Sequence, residues 1–329
     1  MTVTSCKKDP PILKGNTLPF ENNNIKLELI SSSMPSSIRY IYFFDVSKGV
    51  ALTYRGEIYM TTDKGVTWTL QYTHPTSTQS FFQIFFTTSN IGYAVGGSNG
   101  CSGYPCTPPG YYLILKTIDG GSNWTQVFSN AKGVTCIAPN SSGDLYAILN
   151  GISKSTNGGL TWATVDSTIF AWDKLVFNNS YGFCTGGWGK IFRSADNGNS
   201  WALTTTLKGN HIDDIKFINN YGFCIANWGA TVYKTSDNGM TWAETFNSDL
   251  PSYVLNPLTN NSCLIFGTGG YSGGDFGTWH GAIRQTINSG ATWTEIDLPS
   301  ISEIRCSSFY STTEGYVVAD IKLIKVTVK

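Results

Sequence analysis

The residues best suited to chemistry in this chain fall into two groups. The first is a series of acid or amide positions: Asp63, Asp119, Asn157, Asp196, Asp237 and Asn288. Each lies two residues after a serine or threonine, two before a glycine and five before a tryptophan. A side-chain oxygen placed there accepts hydrogen bonds from the backbone just beyond it, and the glycine supplies the positive φ of a tight hairpin. The same oxygens could bind a cation. The amides at Asn157 and Asn288, and the lack of further acidic ligands along each phrase, argue against a calcium-type loop. The reading is therefore structural turns, with no metal and no cofactor. The second group is Trp188, Trp228, Arg55, Arg39, Arg305, Trp172, His211, Asp213, Asp214, Tyr104 and Trp279. These are the aromatic, cationic and acidic types that recognise a protein or a glycan.

The phrase S/T-x-D/N-x-G-x-S/T/N-W occurs six times, ending at Trp68, Trp124, Trp162, Trp201, Trp242 and Trp293, with Trp-to-Trp spacings of 56, 38, 39, 41 and 51 residues. A base period near 40 residues with strand-rich repeats implies the four-stranded blade of a β-propeller. One repeat shows the whole unit: an inner strand at His211–Phe217, a turn at Asn219–Gly222, a second strand, the turn Trp228-Gly229, a third strand at Thr231–Thr235, and then the phrase leading to an outer strand. After Trp293 comes a partial unit without the phrase, over Ile304–Val328. The alternating segment Ile25–Ile30 has no parent blade and can supply its missing outer strand, closing the ring and removing open sheet edges. The expected fold is all-β, a seven-bladed propeller over residues 25–329 with the seventh blade shared by both termini.

Strand alternation then sorts the second group. The turns between second and third strands lie on one face, and the repeated phrases lie on the other. Two insertions, Ser98–Tyr111 and Thr268–Trp279, replace second-to-third turns. The expected binding face therefore carries Arg55, Trp188 and Trp228 from equivalent turns, Tyr104 and Trp279 from the insertions, and Trp172, His211, Asp213, Asp214, Arg39 and Arg305 near inner-strand starts.

Cys101 and Cys106 share one insertion and are expected to form a loop disulfide in an oxidising compartment. Cys136, Cys184, Cys224, Cys263 and Cys306 read as small apolar core residues. Val3-Thr4-Ser5-Cys6 resembles the end of a bacterial lipoprotein signal, with Cys6 as the lipidated residue, although the basic and apolar parts of a signal peptide are absent. Residues 1–24 are read as this lipoprotein-like start and a disordered tether. The expected location is the bacterial cell envelope or surface, with membrane contact only through that anchor. Lys and Arg total 22 and so do Asp and Glu, which leaves no electrostatic footprint for nucleic acid. No apolar run is long enough to span a bilayer. A monomer is expected.

The repeats, with Gly-Tyr/Phe before the second strand at Gly92-Tyr93, Gly182-Phe183, Gly222-Phe223 and Gly315-Tyr316, resemble BNR/Asp-box repeats and the photosystem II assembly/stability factor-like propellers. That resemblance implies a non-catalytic scaffold that binds a protein partner. Sialidases and xyloglucanases share the Asp-box, so a carbohydrate-binding or glycoside-hydrolysing propeller is the alternative. Against a sialidase, the chain has five arginines and Ile38-Arg39-Tyr40-Ile41 lacks the Arg-Ile-Pro signature. Against a xyloglucanase, one propeller offers no cleft between two. The neighbours Asp213 and Asp214 are a poor pair for two-carboxylate hydrolysis. Binding rather than catalysis is the expectation.

Overall fold

The computed structural model describes residues 12–14, 18–74, 80–98, 111–130, 133–134, 136–149, 151–169, 174–209, 211–247, 251–272, 278–302, 304 and 306–329. Its strands form seven sheets, each built on four antiparallel strands, arranged as the blades of a propeller. The inner strands, in blade order, are Ile38–Phe43, Ser80–Phe86, Ile137–Pro139, Lys174–Asn178, Ile212–Ile218, Ser252–Pro257 and Cys306–Phe309. Alternation along each strand puts apolar side chains into the gaps between blades. Among the described residues the core divides into seven clusters, one per gap. Phe183, Ile191, Ile215 and Cys224 join blades 4 and 5, for example, and Ala51, Phe43, Tyr316 and Leu323 join blade 1 to blade 7. Cys136, Cys184, Cys224, Cys263 and Cys306 are buried free thiols in this core.

Blade 7 closes as the alternation predicts. The strand Ile25–Ser31 pairs antiparallel with Lys322–Val328, and Ile25 and Leu27 are fully buried against blades 6 and 7. Phe20–Glu21 adds a further short strand at that edge. Ile12–Lys14 runs parallel to Thr294–Ser302 at the edge of blade 6. Part of the segment read as a tether is thus strand, because the outer edges of blades 6 and 7 still offer unpaired backbone groups. The insertion of blade 6 also differs from a simple loop. Strands Cys263–Ser272 and Thr278–Thr286 run on past a register shift between Thr268 and Tyr271, with Tyr271 opposite Trp279.

The six repeated phrases build one turn six times. The leading Ser or Thr hydroxyl accepts the N–H of the glycine at 2.8–3.0 Å and donates to the Asp or Asn oxygen at 2.7–3.0 Å. That oxygen accepts the backbone N–H four residues on at 2.9–3.0 Å. Asn157 and Asn288 make the same bond with their amide oxygens and donate their –NH2 to Thr161 and Thr292. Five of the six tryptophans donate Nε1–H back to the glycine carbonyl.

Four of the indoles meet an inner-strand phenylalanine of their own blade, whereas Trp162 packs on Phe128 and Trp293 on Phe223 and Phe246 of the preceding blade. Phe43–Trp68, Phe86–Trp124, Phe177–Trp201 and Phe217–Trp242 meet edge to face with centroids 5.9–6.1 Å apart. Gly182, opposite Phe177, explains the Gly-Phe signature. A Cβ there would overlap both the Trp201 and Phe177 rings, so only glycine lets the two rings meet.

The repeated turns predict an acid response. Hydrogen bonds from the Asn123 side chain and backbone hold the Asp119 carboxyl down at about 2, and the Thr67 hydroxyl and N–H lower Asp63. At Asp196 and Asp237, burial raises the pKa, but hydrogen bonds from Ser200 and Thr241 outweigh it. Carboxyls depressed in the folded state contribute stability above their unfolded pKa of about 4 and lose it as pH falls towards about 2. A variant with all four aspartates changed to asparagine is expected to show a flatter loss of stability between those pH values in urea titrations. An unchanged slope would contradict this.

Candidate binding face

The turns opposite the repeated phrases carry the candidate site. In three blades the turn glycine is fixed from outside its hairpin. Gly56, Gly189 and Gly229 accept through their carbonyls the N–H of His74 and Leu207, just after the outer strand, and of Ser252, which opens the next inner strand. Trp188 precedes Gly189 and Trp228 precedes Gly229. Both tryptophans have positive φ, 68° and 59°, and so do Gly189, Asn227 and Gly229. A Cβ on Gly229 would collide with the Ser252 backbone, so that position requires glycine.

A left-handed conformation costs a bulky residue roughly 1–2 kcal/mol. Burial does not offset that cost, because the Trp188 and Trp228 side chains are 70% and 68% exposed. Equally, the two turns do not bury each other's indoles. Strain at a side chain left largely in solvent is a common mark of a functional position.

Trp228 belongs to a built unit. The His211 ring stacks on it with centroids 5.0 Å apart and an interplanar angle of 23°. His211 Nε2 lies 3.6 Å from Asp213 Oδ1, and Asp213 Oδ2 accepts the Gly229 N–H at 2.8 Å. The carboxylate thereby ties the base of the inner strand to the turn that presents the indole. Asp214 goes elsewhere. A register shift between Ile212 and Asp214 sends it into the wall of the central channel, where it accepts the N–H groups of Ile215 and Leu255 at 3.0 Å.

Arg39 lies across blades 1 and 2. Its guanidinium sits 5.0 Å from the Tyr54 ring centroid and 5.7 Å from that of Phe82, and it donates to Ser80 Oγ. Arg55 is exposed in its turn. Trp172, Tyr104, Arg305, Cys101, Cys106 and Cys6 lie outside the described residues. Trp279 is placed by its backbone in the blade 6 hairpin, and its side chain lies outside the described set. The structure thus brings His211, Asp213 and Trp228 together, repeats the exposed indole at Trp188, and separates Asp214 from them.

Two features escaped the sequence reading. A cavity of about 760 Å³ runs along the inner strands, lined by Tyr40, Tyr42, Lys174, Asp214 and Lys216 and reaching Ser311 and Thr312. Within blade 6, Arg284 is fully buried, 2.8 Å from Glu295, and donates to Ser252 Oγ and the Thr268 carbonyl. His280 and Asp297 pair beside them at 2.8 Å. A signal existed for Arg284. It stands two residues before its repeated phrase, where the other blades carry Tyr59, Leu115, Ser153, Phe192 and Tyr233 and none carries a charge.

These features define the class: a seven-bladed β-propeller that presents exposed indoles from left-handed turns on one face. The chain matches no family model and no curated protein at a significant level. Its fold is similar to many solved structures. YCF48 bound to D1 peptide matches with a TM-score of 0.69 and 17% identity, over 97% of this chain and 100% of that one. YCF48 from Cyanidioschyzon merolae matches with a TM-score of 0.61 and 16% identity, over 91% of this chain and 98% of that one. The GH74 enzyme of Niastella koreensis matches with a TM-score of 0.69 and 18% identity, over 89% of this chain but 52% of the enzyme.

Proposed function

We propose that this chain is a non-catalytic binding scaffold, an Asp-box propeller of the photosystem II assembly/stability factor-like kind, which receives a protein partner on the face bearing Trp188 and Trp228. The proposal includes anchoring in a bacterial cell envelope through Cys6. The observation that carries the binding reading is the pair of indoles held out to solvent in strained turns. Aromatic anchors of this kind dominate the energetics of protein interfaces. The likeness to YCF48, solved with a peptide bound, is consistent with a propeller face used this way. Asp213 and Asp214, the acidic neighbours near this face, are committed to backbone N–H groups, which fits positioning better than proton transfer.

The test is affinity capture from envelope extract with wild type and with the Trp188→Ala/Trp228→Ala double variant, both shown to be folded. A protein recovered by the wild type alone is the expected result. Equal recovery would move the site off this face. No recovery of protein, together with retention of the wild type on immobilised glycans, would favour carbohydrate binding.

A further inference from the structure

The repeated turns carry apolar tips that the turn itself does not need. Five of the six have one large apolar side chain at one of two variable places. Ile118 and Ile287 follow the leading hydroxyl residue, and Val66, Leu160 and Met240 follow the glycine. All five are more than half exposed, from 52% at Met240 to 72% at Ile118. The turn of blade 4 has Ala195 and Asn199 at those places and closes with the same hydrogen bonds. Neither turn geometry nor packing therefore accounts for the tips. Single exposed apolar residues are ordinary, but one on each of five turns of the same face is a pattern.

The charges around the tips are matched in sign. Arg193 Nε donates to the Asn238 carbonyl and Lys234 Nζ to the Ser289 carbonyl, each in the turn of the next blade. Lys48 Nζ reaches Gly120, beside Asp119. The turn carboxylates are in turn held by hydrogen bonds from their own hairpins. Apolar tips over satisfied polar groups, with neither sign of charge in command, suit the interface of an uncharged bilayer. The tips are spread over five blades rather than gathered in one patch, which a broad fluid surface meets more readily than a compact epitope.

The start of the chain points the same way. Ile12–Lys14 runs parallel to the outer strand of blade 6, with Ile12 opposite Glu295, two residues past Trp293 of the repeated turn. The backbone before Ile12 thus departs at the end of the blade that carries the turn. Cys6 is six residues further back, a reach of at most about 20 Å.

We propose that the face of the repeated turns rests on a lipid bilayer, with Ile118, Ile287, Leu160, Val66 and Met240 in the interfacial layer, and that the face of Trp188 and Trp228 points away from it. Membrane contact then extends beyond the single anchor expected from the sequence. The orientation relative to Cys6 rests on the anchoring proposed above, whereas the contact of the tips with lipid does not.

The test is flotation of the full chain carrying Cys6→Ser, which removes the acylated residue, with phosphatidylcholine vesicles at low and high salt. The chain is expected to float in both. Adding Ile118→Ser/Ile287→Ser, which copies Ser236 at the same place in blade 5, lowers the partition coefficient about tenfold. Adding Trp188→Ala/Trp228→Ala leaves it unchanged. No flotation, equal flotation of the serine variant, or flotation only with anionic lipid and lost in high salt would overturn the proposal. A second readout keeps the surface almost intact. On illumination with the same vesicles, p-benzoylphenylalanine at position 118 forms lipid adducts and at position 188 forms none. No lipid adduct from position 118, or equal adducts from both, would also overturn it. An unacylated Cys6 in cells would contradict the anchor alone.

Discussion

Replacing Arg284 with alanine is expected to cost about 3–5 kcal/mol of stability, the largest effect of any single change considered for this chain. The cost comes from what is left behind. Glu295 is directly opposite Arg284 in the ladder, its carboxylate is 2.8 Å from the guanidinium, and its side chain is 10% exposed. Removing the cation strands a buried carboxylate and frees Ser252 Oγ and the Thr268 carbonyl from their donor. Burial already pulls the Arg284 pKa down, and the carboxylate opposes that pull. The pair is therefore interdependent rather than simply stabilising. Replacing both partners with methionine is expected to recover most of the loss, because neither member of the pair is then left buried as an unpaired charge. Urea unfolding of the single and double variants measures this. A loss below about 1 kcal/mol for Arg284→Ala would show that water reaches Glu295 and relieves it.

The Trp188→Ala/Trp228→Ala variant is expected to separate binding from stability. Each indole that anchors an interface contributes about 2 kcal/mol or more to binding, roughly a thirtyfold change in Kd. The fold gains little from either ring, since both are about 70% exposed, and alanine meets the same left-handed penalty as tryptophan. Stability should therefore stay within about 0.5 kcal/mol of wild type. Weakened capture at unchanged Tm is the predicted pattern. A large fall in Tm would make the indoles structural after all.

The repeat made most of the fold legible. Six copies of one turn gave the blade period, and the unpaired segment from Ile25 gave the closure. The exposed turns at Trp188 and Trp228 were legible for the same reason, because equivalent positions in a repeat occupy equivalent places. What the sequence hid depends on register. Asp213 and Asp214 are neighbours in the chain, and only the shift between Ile212 and Asp214 sends one to the turn and the other into the channel. The Arg284–Glu295 pair needed cross-strand partners to be known, and the two lie eleven positions apart along the chain.

The central claim is that the partner meets the face of the exposed indoles rather than the face of the repeated turns. The most direct measurement is photo-crosslinking in cells with p-benzoylphenylalanine in place of Trp188 and, separately, in place of Ile118, which lies in a repeated turn and is 72% exposed. The account predicts one dominant protein adduct from position 188 and none from position 118. Adducts from position 118 alone, equal adducts from both, or no adduct from position 188 would contradict it.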